Sequence, residues 1–231
     1  MIGVLVTTHN RPEALKRSLP QIAILGASVL VVDDGSLNES AQANRDICRE
    51  CDCHFIHLPC NRGLAAALNT GLVYWLADKN VTAISYHQDD TDTHPKALEI
   101  LSRLRQYGPV LTGHDGAAHR SSSNAVLEGI AIKFKETFAA VHIFASVGFW
   151  TGVMPIPTYS LGCPNPSPNG RTRSTGSNVD WWLCRDAPRS TKALGTGAIV
   201  VPGLTRTFFW QAKDSCWGNS QPEEDAPLAQ I

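Results

Sequence analysis

The sequence predicts an α/β protein with one mostly parallel sheet flanked by helices. Three observations lead there. Short β-rich runs alternate with helix-length amphipathic segments through the first half of the chain, the pattern of right-handed βαβ units. The run Ser28-Val29-Leu30-Val31-Val32 is apolar almost throughout, as a strand covered on both faces of a parallel sheet is. Each run also ends in a cluster of polar residues, and in such sheets ligands bind at the carboxyl ends of the strands.

The elements follow in order. Ile2 to Thr7 is the first strand, and Asn10-Arg11-Pro12-Glu13 opens a helix with Asn10 as its cap and Pro12 in its first turn. Leu15, Leu19 and Ile22 supply the apolar stripe of that helix. The second strand, Ser28 to Val32, stops at Asp33-Asp34-Gly35-Ser36. A helix pattern from about Asn38 to Cys51 leads to a third strand, Cys53 to Leu58, and Pro59 to Gly63 turns into the alanine-rich helix Leu64 to Ala77. The strand Val81 to Tyr86 and the helix Lys96 to Tyr107 complete the regular part. The second half is less regular. Val110 to Gly113 reads as a strand, Val126 to Lys133 and Ala140 to Ser146 as strand or helix, and Ala193 to Phe209 as a strand-like pattern. Tyr159 to Ser177 is a long Pro-, Gly- and Ser-rich loop whose Arg171 and Arg173 are placed to close on a ligand, or which merely connects. From Gln221 onward the composition is that of a disordered tail.

Composition narrows the function. At 231 residues, with 43% hydrophobic and 18% charged, the chain is expected to form a single globular domain. A net charge of −1 leaves no electrostatic footprint for duplex nucleic acid, so no nucleic-acid partner is expected. No apolar run is long enough for a membrane span and the amino terminus enters a strand at once, so a cytoplasmic protein is expected. Of the seven cysteines, Cys48, Cys51, Cys53 and Cys60 cluster with His54 and His57, superficially like a zinc site. Their spacing runs across a helix and a strand with no second paired motif, which points to reduced thiols instead.

The chemistry gathers in the polar turns. Thr7-Thr8-His9-Asn10-Arg11 follows the first strand, Asp33-Asp34-Gly35-Ser36 the second, Asn61-Arg62-Gly63 the third, and Gln88-Asp89-Asp90-Thr91-Asp92 the fourth. Clustered carboxylates behind a buried strand suit Mg²⁺ or Mn²⁺, hard cations that take oxygen donors and keep open positions for substrate phosphates. The alternative is a solvated acidic turn. His87 and His94 flank the acidic run as outer partners or as ordinary side chains. Phe149, Trp150, Trp181 and Trp182 offer aromatic faces of the kind that cover sugar rings, although tryptophan is more often core.

In that order, Val4 to Pro12, Val31 to Ser36, Asn61-Arg62-Gly63 with Asn69-Thr70-Gly71, and Gln88 to Asp92 resemble a family 2 glycosyltransferase of the GT-A fold. The match runs from residue 2 to about residue 100. Farther on, Asn178-Val179-Asp180-Trp181-Trp182-Leu183-Cys184-Arg185 resembles the acidic segment with a trailing arginine that supplies the base in these enzymes, closest to bacterial rhamnosyltransferases.

The resemblance implies a Rossmann-like nucleotide-sugar-binding half over residues 1–108, an acceptor and catalytic half over 109–215 and a tail over 219–231. It implies an inverting transfer of a sugar from a UDP- or dTDP-sugar, with Mn²⁺ or Mg²⁺, to an oligosaccharide, lipid-linked glycan or glycoprotein. Thr7, Thr8, His9, Asn10 and Arg11 are expected at the nucleoside. Asp33 or Asp34 would accept the ring N–H of uracil or thymine, and Arg62 would lie near the base or diphosphate. Asp90 is the expected metal ligand, with Asp89 or Asp92 beside it depending on register, and Gln88 adjoins them. Asp180 is the expected base, with Asp186 its nearest rival, and Trp181 or its neighbour would line the acceptor site. Two other readings stay open: a sugar-phosphate nucleotidyltransferase on the same sheet, although its usual glycine-rich first turn is missing, and a non-catalytic nucleotide-sugar-binding module of a larger synthase.

Overall fold

The computed structural model describes residues 1–115, 121–135, 138–156, 158, 179, 183, 198–208 and 228. Its strands are β1 (Ile2–Thr8), β2 (Ser28–Asp33), β3 (His54–His57), β4 (Ala83–Gln88), β5 (Thr91–Thr93), β6 (Val110–His114), β7 (Ser121–Leu127), β8 (Ile130–Lys135), β9 (His142–Ser146) and β10 (Ala198–Thr207). The helices are α1 (Pro12–Ala23), α2 (Asn38–Glu50), α3 (Leu64–Leu76), α4 (Ala97–Leu104) and α5 (Val147–Val153), with a 3₁₀ turn at Arg105–Tyr107. The strands form one sheet in the order β3-β2-β1-β4-β9-β6-β10-β8-β7, and β5 pairs with β10 off that path. The first four strands are parallel, as their apolar runs predict. Beyond β4 the sheet becomes mixed, because β9 runs antiparallel to both β4 and β6.

Alternation along each strand sorts its side chains to two cores. Leu5, Leu30 and Val32 face a cluster with Leu68, Leu72, Trp75 and Trp150, whereas Val4, Val6, Val29 and Val31 face one with Leu15, Leu19, Ile22 and Leu101. The period of two in the strands and of three to four in the helices therefore buries both faces of the sheet. Helix α3 lies close on β1 because Gly71 has no side chain: a Cβ there would sit 2.1 Å from Leu5 Cδ1. The indole nitrogens of Trp75 and Trp150 donate to the carbonyls of Val4 at 3.0 Å and Ile84 at 3.2 Å. Trp150 and Phe149 are accordingly buried core residues of α5 and not sugar-facing aromatics.

Three local expectations change. Arg11, not Asn10, occupies the cap position of α1, because Asn10 adopts a left-handed backbone with φ 53° and its side chain is turned to the neighbouring loop. Val126 to Lys133 straddles a hairpin, in which Glu128 and Gly129 take positive φ and join β7 to β8. Ala140 to Ser146 resolves into strand β9, and the following apolar residues form α5.

Candidate active site

The chain passes from β1 outward through β2 and β3, then returns to place β4 on the other side of β1. A reversal of strand order opens a crevice at the carboxyl edge, where helices leave the sheet in opposite directions. Thr7 and Thr8 close β1, Asp33 closes β2, and Gln88 closes β4, so three of the polar turns arrive at that crevice.

The two aspartates after β2 have different environments. Asp33 is fully buried; its Oδ1 accepts from Ser36 N at 2.8 Å and its Oδ2 from Asn44 Nδ2 at 2.9 Å. It fastens the start of α2 and does not line the crevice. The carboxylate of Asp34 accepts the backbone N–H of Arg62 at 2.9 Å and of Gly63 at 2.7 Å, while its own N–H donates to Thr8 O at 2.9 Å. It thereby ties the turns after β1, β2 and β3 together. Gly35 permits this approach: its φ is +66°, and a Cβ would meet the Cys60 carbonyl carbon at 2.1 Å.

Asp34, Thr7, Thr8, His9, Arg11, Leu64, Ala67 and Gln88 enclose a cavity of about 180 Å³. Within it His9 has a defined tautomer. Its Nε2 lies 3.0 Å from Asn10 Nδ2 and 2.9 Å from Asn61 Nδ2. Both amide oxygens already accept backbone N–H groups, from Leu37 and Gly63. The amide nitrogens are therefore donors and Nε2 the acceptor, an assignment made from the hydrogen-bond network. The imidazole proton then sits on Nδ1, which is buried and has no partner among the described residues. A larger cavity of about 560 Å³, bounded by Thr82, Tyr107, Leu111 and Ser146, lies at the opposite edge and has no carboxylate in its wall.

The acidic turn divides into two sets. Thr8 Oγ1 donates to Asp89 Oδ2 at 2.6 Å, and Arg11 binds both Asp89 Oδ1 and Asp90 Oδ2. Asp90 Oδ1 is buried and has no partner among the described residues. Burial pushes the Asp89 carboxyl up to about 7; Arg11 pulls against that shift and the charge of Asp90 adds to it. Asp92 belongs to the other set. On β5, it accepts from Arg17 Nε at 3.0 Å, Gln21 Nε2 at 3.0 Å and Arg206 Nε at 3.0 Å. Burial alone would raise its carboxyl, but these donors outweigh it and hold it below the usual range. Phe208 completes the clasp: its ring covers the Arg17 guanidinium at 3.8 Å, and its N–H donates to Asp90 O at 3.0 Å.

The other predicted positions are equally distinct. Gln88 lines the cavity and donates from Nε2 to Ala140 O at 2.9 Å. Asn10 is exposed, and its backbone N–H donates to Ser36 Oγ at 2.7 Å. Arg62 is exposed and enters the site through its main chain. His94 caps a turn, accepting from Lys96 N at 3.1 Å. His87 is fully buried and stacks on His142 at 4.1 Å, both close to Ser85 Oγ. Asp180, Trp181, Trp182, Asp186, Arg171 and Arg173 lie outside the described residues. Cys48, Cys51, Cys53 and Cys60 are free thiols, and burial pushes Cys53 up to about 12. No group of three or more potential metal ligands occurs among the described residues. A divalent cation nevertheless suits Asp89 and Asp90, which are all-oxygen donors with one buried carboxylate oxygen uncommitted. The bond between Arg11 and the acidic pair is a feature the sequence does not signal, since 78 residues separate Arg11 from Asp89.

This architecture is that of the GT-A fold. Residues 3–128 match the model of glycosyl transferase family 2, and the chain belongs to that family. No curated protein matches it in sequence. Among solved structures, glucosyl-3-phosphoglycerate synthase from Mycobacterium tuberculosis, in complex with phosphoglyceric acid, is similar with a TM-score of 0.56 at 11% identity, over 92% of this chain and 74% of that one. A UDP-glucose pyrophosphorylase complexed with UDP-glucose is similar with a TM-score of 0.51 at 12% identity, over 87% of this chain and 90% of that one. S. aureus TarS 1-349 matches at 15% identity and a TM-score of 0.47, over 65% of this chain; the chain spans 48% of that structure's length. At such identities the likeness is one of fold.

Proposed function

We propose that the chain is an inverting, cation-dependent glycosyltransferase that moves a sugar, rhamnose or glucose, from a UDP- or dTDP-sugar to a hydroxyl of a glycan acceptor. The observation that carries this reading is that Asp34 and Arg11 share one cavity wall at the carboxyl edge and that Arg11 is bonded to the Asp89-Asp90 pair beside it. A uracil or thymine nucleoside diphosphate presents a ring N–H at one end and two or more negative charges at the other. Asp34 and Arg11 supply the matching carboxylate and guanidinium in the same cavity wall.

Each residue then has a task. Asp34 accepts the ring N–H of uracil or thymine, because a carboxylate keeps lone pairs beyond those engaged by Arg62 and Gly63. The nucleoside lies against Thr7, Thr8 and His9, with the His9 Nδ1–H as a donor to it. Asp90, with Asp89 beside it, would hold Mn²⁺ or Mg²⁺, which when bound offsets the charge of the departing diphosphate. A sugar hydroxyl is a poor nucleophile, so a carboxylate must take its proton as the bond to the anomeric carbon forms. Asp180 is assigned that role. Val179 and Leu183, on either side of it in sequence, are buried in the same core cluster as Trp150. Attack from the face opposite the diphosphate inverts the anomeric centre.

The test is release of UDP or dTDP from a panel of nucleotide sugars, with the anomeric configuration of the product read by NMR. Asp180→Asn is expected to bind the donor and lose turnover; full turnover by that variant contradicts the base assignment. Pyrophosphate release from a sugar phosphate and a nucleoside triphosphate would identify a nucleotidyltransferase instead. Nucleotide-sugar binding with no release under any condition would mark a non-catalytic module.

A further inference from the structure

Two adjacent carboxylates at the acidic turn are buried, and Arg11 straddles them. One guanidinium nitrogen bonds Asp89 Oδ1 and another lies 3.0 Å from Asp90 Oδ2. A planar guanidinium spanning two carboxylates takes up the oxygens that a divalent cation needs. Thr8 takes the second oxygen of Asp89, and Asp90 Oδ1 alone of the four has no partner among the described residues. Arg11 is also a wall residue of the nucleotide cavity, with its side chain 28% exposed. Its backbone, φ −133° and ψ 57°, is not helical. The side chain is rooted in the turn between β1 and α1, ahead of Pro12, so its head can swing without unwinding the helix.

Resting on the metal and nucleotide reading above, we propose that Arg11 is an exchangeable counter-ion, holding Asp89 and Asp90 until the donor's diphosphate draws it away and a divalent cation takes its place. With Arg11 on the acidic pair, an arriving cation meets a guanidinium a few ångströms away and finds three of the four carboxylate oxygens engaged. The cation alone therefore binds weakly. A diphosphate offers the guanidinium a second bidentate partner inside the same cavity, and withdrawing it exposes Asp89 and Asp90. Cation and nucleotide consequently bind with positive coupling, which is reciprocal by linkage.

The experiment measures Mn²⁺ binding to the full chain by the EPR signal of the free ion, with and without UDP, for wild type, Arg11→Gln and Arg11→Lys. Wild type is expected to bind Mn²⁺ at least about tenfold tighter with UDP present, within the usual range of such couplings. Arg11→Gln is expected to bind Mn²⁺ alone about tenfold tighter than wild type does, and its coupling to UDP is expected to shrink by a similar factor. Arg11→Lys, a point charge that cannot straddle both carboxylates, is expected to lie between the two. If Arg11→Gln binds Mn²⁺ alone no better than wild type while UDP coupling persists, the exchange is overturned and the metal site stands. If none of the three proteins binds Mn²⁺, with or without UDP, the metal reading itself falls. Circular dichroism checks the fold; should Arg11→Gln not fold, an Arg11→Lys protein with wild-type Mn²⁺ affinity overturns the exchange.

Discussion

Thr8 Oγ1 donates to Asp89 Oδ2 at 2.6 Å, joining the last residue of β1 to the residue that follows β4. The bond crosses the crevice where the strand order reverses, and it fixes which oxygen of Asp89 remains for Arg11 or for a cation. Groups that orient a metal ligand are worth about 10- to 100-fold in metal affinity. Thr8→Val is accordingly expected to weaken Mn²⁺ binding in the presence of UDP by about tenfold, with Thr8→Ser restoring it. Wild-type affinity in Thr8→Val would show that Asp89 needs no such support.

Asp33 and Asp34 separate a fold effect from a ligand effect. Asp33→Asn leaves a buried amide nitrogen facing the Ser36 N–H or Asn44, and is expected to lower stability by about 1–3 kcal/mol. Asp34→Asn can retain one of its two backbone contacts but places a donor in the cavity, where it meets the ring N–H of a uracil. It is expected to weaken UDP about tenfold or more and to reduce discrimination against CDP. Calorimetric titration of both nucleotides into the two variants checks this. An Asp34→Asn protein that keeps wild-type UDP affinity would contradict the base contact.

Asp92 is a clasp between α1, β5 and β10, gripped by Arg17, Gln21 and Arg206. Asp92→Asn removes the charge but not the shape. Because both arginines are partly exposed, the loss is expected to be about 1–2 kcal/mol, below that of a fully buried pair. Mn²⁺ affinity should change less than about threefold, well short of the loss of a ligand. Collapse of Mn²⁺ binding in this variant would shift the cation to the Asp90-Thr91-Asp92 register.

His87 gives the protein a pH signature. Burial lowers its pKa to about 3, so it is neutral in the fold and takes up a proton only on unfolding. Between about pH 6.5 and 3 the unfolded chain binds more protons at this site than the native one, so its contribution to stability falls as the pH falls, at about 1.4 kcal/mol per pH unit. Asp89, pushed up to about 7, acts in the opposite direction, so the net curve mixes the two. The difference between His87→Gln and wild type isolates the histidine. Denaturant unfolding at pH 4, 5 and 6 should show the variant's stability falling less steeply than that of wild type as the pH drops, by about 1.4 kcal/mol per pH unit, whereas parallel curves would contradict a buried neutral His87.

The amino-terminal half was legible because each of its elements reports its own environment. Parallel strands buried on both faces read as apolar runs, and Leu15, Leu19 and Ile22 lie on the buried face of α1 as their spacing predicts. The expectations that changed depend on distant partners. β5 has three residues and exists through its pairing with Arg206 and its neighbours, more than 110 residues later. Helix α5 follows β9 directly, divided from it by Ser146 alone, whose Oγ caps the helix by accepting from Phe149 N at 3.2 Å. Asn10 carries the side chain of a helix cap, yet its amide is engaged by Leu37 N–H, a contact set by the turn after β2. The same limit applies to the site. Four polar turns show which residues converge, but which of Asp33 and Asp34 faces the cavity depends on the seats of Ser36, Asn44 and Gly63. The separation of Asp92 from Asp89 and Asp90 likewise requires Arg17 and Arg206 to be in position.

The most direct test of the account is a calorimetric titration of UDP, with Mn²⁺, into wild type, Asp34→Asn and Asp90→Asn. One nucleotide held at its base by Asp34 and at its diphosphate through Asp90 predicts that either variant loses at least about tenfold in UDP affinity, and that a chelator abolishes the contribution of Asp90 but leaves that of Asp34. UDP binding that is indifferent to both substitutions and to the chelator would contradict it.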